Sequence, residues 1–108
     1  MKRLLLVALM TLAGCAMSHQ AQVSNSAVVG PMKAAQALQG NYRSPQADLH
    51  LQYAQDNLDV ANALEAEGKG QRANMMRMRA KSDAELAQAL ARGATLRGEN
   101  ESSLRSTP

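Results

Sequence analysis

Apolar residues are arranged along this chain in three different ways. From Leu4 to Leu12 they run almost unbroken, directly after Lys2 and Arg3. From Ala16 to Gly30 they are scattered among Ser, Gln and Asn with no sustained period. Beyond Ser44 they recur at helical spacing. Leu51, Ala54, Leu58 and Ala61 are separated by three, four and three positions, and Leu64 extends the stripe. A second stripe of Ala73, Met76, Ala80, Ala84, Ala87, Leu90 and Ala94 follows.

Punctuation residues set the expected limits of the elements. Ser44 followed by Pro45 reads as an N-cap and a first helical position. The stretch from Pro45 to Glu67 contains no glycine or further proline, and Gly68-Lys69-Gly70 then makes a turn. A second long helix is expected over about 71–97, with Gly98 ending it. Upstream, Pro31 fits the first turn of a short helix over about 31–39 that Gly40-Asn41 stops. The predicted fold is all-α: a short helix followed by a long antiparallel αα-hairpin, the helical domain covering 31–98. Residues 15–30 read as a flexible tether reaching about 20 Å as a random coil. Residues 99–108 read as a frayed or disordered tail.

The first apolar run has the build of an export signal, with a basic start, an apolar core and small residues behind it. It is too short to span a bilayer, which takes about 20 residues. Leu12-Ala13-Gly14-Cys15 resembles a bacterial lipobox. The resemblance implies removal of residues 1–14, a diacylglycerol on the Cys15 sulfur and an acyl chain on its new amine. It also implies outer-membrane sorting, because Ala16 stands where an Asp would mark retention in the inner membrane. The competing reading is an ordinary secretory signal cut near Ala13 or Ala16. That would leave an odd thiol in an oxidising compartment, since Cys15 is the single cysteine of the chain. Acylation removes the thiol and supplies more than the two membrane signals that stable anchoring requires.

Charge changes the picture of the hairpin. Residues 45–68 carry Asp48, Asp56, Asp59, Glu65 and Glu67 and no Lys or Arg, a net of −5. Residues 69–98 carry a net of +5, from seven basic residues against Asp83 and Glu85. An acidic helix joined by a tight turn to a basic one is expected to pair its flanks across the hairpin, with more effect on register than on stability. The basic helix alternatively suits an anionic lipid surface. Without the signal, 94 residues remain with a net charge of +1, enough for one small domain. The chain has no Trp or Phe and two tyrosines, Tyr42 and Tyr53, so it offers no stacking platform for nucleic acid.

Residues of about 30–96 resemble a family of small helical proteins, often lipoproteins of Gram-negative bacteria, known as domain of unknown function 4398. The matching elements are Ala34-Ala35-Gln36-Ala37, Tyr42-Arg43-Ser44-Pro45, the spaced Leu49, Ala54, Leu58 and Ala61, the turn glycines Gly68 and Gly70, and Asp83-Ala84-Glu85-Leu86-Ala87. The Met- and Arg-rich stretch 73–79 departs from the pattern. The resemblance implies a helical fold and an envelope location. Some relatives carry a peptidoglycan-binding domain after the helices, an activity that does not carry over to these residues.

No constellation for catalysis stands out. Asp83 and Glu85 are too close in sequence to face each other on a helix. Nothing resembles a nucleophile elbow or a phosphate loop. Met75, Met76 and Met78 have the ligand type of a soft-metal site, but 76 points about 100° away from 75, so they read as fillers of the core near the turn. His50 reads as a lone surface histidine, as does His19 in the tether. The chain ends Arg105-Ser106-Thr107-Pro108, so a covalent link to peptidoglycan through a terminal lysine is not expected. The expectation is a non-enzymatic, lipid-anchored envelope protein without a cofactor or metal, whose hairpin binds an envelope partner or a second copy. Binding of an anionic lipid or a soft metal is the alternative.

Overall fold

Ser44 does what its position predicts. Its backbone is extended, and its hydroxyl accepts the Ala47 amide at 3.1 Å, satisfying one orphan N–H at the start of a helix. The computed structural model describes residues 21–107, in three helices: α1 (Asn25–Leu38), α2 (Pro45–Ala66) and α3 (Gly70–Arg105). The fold is all-α, with α2 and α3 forming the antiparallel hairpin. Between them the Gly68 amide bonds the Glu65 carbonyl and the Lys69 amide bonds that of Leu64, both at 2.9 Å. This paired cap needs a left-handed residue, and Gly68 supplies it with φ of +77°.

The seam is built mainly of alanine. Ala47, Ala54, Leu58 and Ala61 of α2 face Ala73, Ala80, Ala84, Ala87 and Ala91 of α3, all buried. In α3 the row steps by four, three, four, three and four once Arg77 is counted. Leu90 and Ala94, expected in the stripe, are half-buried beside it, and Ala91 takes the central place. Val28, Met32 and Ala35 of α1 complete the core along the same hairpin.

Three boundaries differ from the expectation. The first helix begins at Asn25, not 31, with Ser24 as its cap, accepting the Ala27 amide at 3.3 Å. Pro31 is thus inside it, and the lost backbone bond is offset by burying Val28, Met32 and Ala35 on one face. Residues 25–30 are therefore helix rather than tether, while 15–20 lie outside the described residues. At the other end α3 runs through Gly98 to Arg105, so 99–105 are helical rather than disordered. Gly98 does not stop the helix. It is the place where the Tyr42 ring lies against the α3 backbone, and a Cβ there would overlap the ring.

Candidate interaction face and anchored end

The α2–α3 hairpin has two long sides, and α1 covers one. Val28, Met32 and Ala35 of α1 pack on the alanine row of α3, and polar side chains of α3 tie down the two ends of α1. Thr95 Oγ1 donates to the Leu38 carbonyl at 3.1 Å, filling an orphan acceptor at the end of α1, and Arg77 Nε donates to Asn25 Oδ1 at 2.9 Å. On the uncovered side lie Leu49, Tyr53 and Val60 of α2 with Met75, Met78 and Leu86 of α3, all 41–47 % exposed. Helical spacing sets these well round from the buried rows. Between the two helices Tyr53, Met75 and Met78 border an open groove of about 640 Å³, which Asn57, Arg79, Ser82 and Asp83 also line.

Asp83 holds the floor of this groove in register. One carboxylate oxygen lies 3.0 Å from His50 Nδ1, and the other accepts from Asn57 Nδ2 at 3.3 Å. His50 also meets the Tyr53 ring edge-on, with centroids 5.7 Å apart. It is thus a half-buried cross-helix partner rather than a lone surface residue. Ser82, the neighbouring hydroxyl, donates to the Met78 carbonyl and not to His50, so no nucleophile–base pair is assembled.

The start of the described chain is held on the side that α1 covers, beside the hairpin turn. Asn74 is buried, and its amide grips the backbone twice: Oδ1 accepts the Val23 N–H at 2.7 Å, and Nδ2 donates to the Ala21 carbonyl at 3.2 Å. One turn on, Arg77 is also buried and sits in the alanine row. It reaches Asn25, Asn62 and Glu65, so its charge is both hydrogen-bonded and paired. Residues 21–25 are therefore clasped to α3 beside the hairpin turn. Sequence reasoning missed Asn74 and Arg77. Counting the alanine row back from Ala84 by four and three would have placed position 77 in the core and marked its charge as one needing partners.

The flank charges do not neutralise each other as expected. Across the hairpin the ion pairs among the described residues are Arg77–Glu65 and, with His50 protonated, His50–Asp83. Asp56 and Asp59 of α2, and Arg72, Arg79, Arg92 and Arg97 of α3, have no ion-pair partner among them. The narrow alanine seam leaves only the inner flanks within reach, and Asp56 points away from it on the far side of α2. The methionines are not core fillers either: Met75 and Met78 are exposed, and Met76 half-buried against the turn. No group of three or more His, Cys, Asp or Glu suited to a metal occurs among the described residues. Leu12, Ala13, Gly14 and Cys15 lie outside the described residues, and none of the described helices is long and apolar enough to cross a membrane. No protein-family model matches this chain, and no curated protein or solved structure matches it either.

Proposed function

We propose that this chain is a lipid-anchored lipoprotein of the bacterial outer membrane, facing the periplasm, whose hairpin is a non-enzymatic protein-interaction module. The observation that carries the reading is the uncovered hairpin face. Six large side chains at 41–47 % exposure line it, whereas the small residues of the chain fill the seam. Soluble monomers scatter such residues; six on one side of a hairpin, three of them lining a groove, favour a surface that takes a partner. The lipobox pattern at Leu12–Cys15 supports the anchoring, and the resemblance of residues 30–96 to domain of unknown function 4398 supports the envelope location.

The test is photocrosslinking in intact cells, with the photoreactive residue at Tyr53 or Met78 and, as a control, at Ala37 on the outer side of α1. One stoichiometric adduct from the two groove positions, absent from Ala37, is expected for an adaptor. Adducts with a second copy alone would make the module self-assembling. Equal, diffuse labelling from all three positions would refute an interaction face.

A further inference from the structure

The clasp at Asn74 bears on how the molecule stands on its membrane, given the reading of Cys15 as the lipidated residue. Ala21 is held beside the hairpin turn, and six residue steps separate it from Cys15. Those steps span at most about 20 Å. The turn end is therefore the end within reach of the bilayer, and Ser103 near the end of α3 lies about 48 Å further along the helix axis from Gln71.

That end carries charges the fold does not use. Arg72 and Arg79 are two turns apart on one side of α3, about 10 Å along the axis, with Met75 between them. Both are exposed, and neither has an ion-pair or hydrogen-bond partner among the described residues. With Leu64, Met75 and Met76 they line a cleft of about 240 Å³ at the turn. Two free guanidiniums over thioether and leucine side chains match a layer that is anionic at its surface and apolar just beneath. Guanidinium binds phosphate through paired donors, and methionine packs adaptably against disordered chains. We propose that Arg72 and Arg79 seat the turn end of the hairpin on anionic lipid phosphates of the bilayer that holds the Cys15 anchor. The hairpin then projects its distal end away from the surface.

The test uses the full-length, membrane-extracted protein reconstituted in vesicles of phosphatidylglycerol and phosphatidylcholine. A donor dye sits at Gln71→Cys or Ser103→Cys, and an acceptor dye labels a fraction of the headgroups. Transfer should be strong from 71 and weak from 103. Arg72→Glu/Arg79→Glu, with helicity unchanged by circular dichroism, should narrow that difference to what the tether alone leaves, as should vesicles of phosphatidylcholine alone. Equal transfer from the two positions, or a difference that neither the double substitution nor the neutral vesicles reduce, overturns the proposal. So does loss of the difference on adding inorganic phosphate, which would make the arginines a site for the free anion. Protein that never floats with the vesicles, and whose Cys15 reacts with a thiol reagent, refutes the anchoring itself and this contact with it.

Discussion

Gly98→Ala tests whether the late part of α3 is packed structure or a frayed extension. In an exposed helix interior the change gains about 1 kcal/mol, because alanine restricts the unfolded backbone and shields the helix. Here the new Cβ would overlap Cγ, Cδ1 and Cε1 of Tyr42, so the ring must leave. A tyrosine side chain buries roughly 150–250 Å² when fully enclosed. Tyr42 is half-buried, so about 100 Å² returns to water, worth about 2 kcal/mol. The 3.0 Å contact between its hydroxyl and Ser102 Oγ is lost as well, though it is exposed and contributes little. The net expectation is a loss of about 1 kcal/mol, a fall in Tm of roughly 4–8 °C for a domain of this size. On a Tyr42→Ala background nothing occupies the space, and the same substitution should stabilise by about 1 kcal/mol. The double-mutant cycle thus predicts a change of sign and a coupling near 2 kcal/mol. Urea melts of residues 16–108 followed by far-ultraviolet circular dichroism measure it. An equal gain on both backgrounds would show that Tyr42 does not rest on α3.

Ala84 is fully buried between Val28, Met32, Ala54 and Leu58, so Ala84→Leu should destabilise by about 1–3 kcal/mol through overpacking, whereas Leu86→Ala on the open face should stay within about 0.5 kcal/mol. The same melts compare them. Asn74→Ala removes both bonds to the incoming chain and should cost about 1–2 kcal/mol, with faster hydrogen exchange confined to residues 21–25. Exchange that is unchanged there would show that Asn74 is not what holds the segment. Asp83→Ala strips the acceptor from His50 and Asn57 together, and a loss of about 1 kcal/mol is expected. Cys15→Ser should move the protein from the membrane pellet to the soluble fraction or leave it as an unprocessed precursor; a correctly cleaved, membrane-bound serine variant would exclude lipid anchoring.

The hairpin was legible because its signals are local and mutually consistent. Ser44-Pro45, the glycine turn and two apolar stripes of helical period each name the same boundaries. What was not legible depends on distant residues. Asn25–Gly30 reads as tether because Val28, Val29, Gly30 and Pro31 are poor helix formers, and only the burial of Val28 against α2 and α3 overrides them. Gly98 reads as a stop until Tyr42, far back in the chain, is seen lying on it. Arg77 and Asn74 interrupt a clean apolar pattern, and their role appears only once Ala21–Asn25 is brought beside them. The open groove escaped notice for a related reason: hydropathy suggests that Met75 and Met78 belong inside.

Why they do not is a matter of seam width. Nine of the twelve buried apolar residues are alanine, and Val28 is the largest side chain that is fully enclosed. Helices that meet through alanine approach closely, and beyond Leu58 a large side chain set at one of the alanine positions of the seam would force them apart. Most of the larger apolar residues of the hairpin are thereby left on the outer faces. On one side α1 covers what results; on the other Leu49, Tyr53, Val60, Met75, Met78 and Leu86 remain half in water. A chain under selection for solubility alone would fill those positions with Lys, Glu or Gln, as it does at Gln52, Gln55 and Glu85 on neighbouring surfaces. Alanine in the seam and larger side chains on the outer face together describe a hairpin that closes its own seam with small residues and leaves Leu49, Tyr53, Val60, Met75, Met78 and Leu86 half in water.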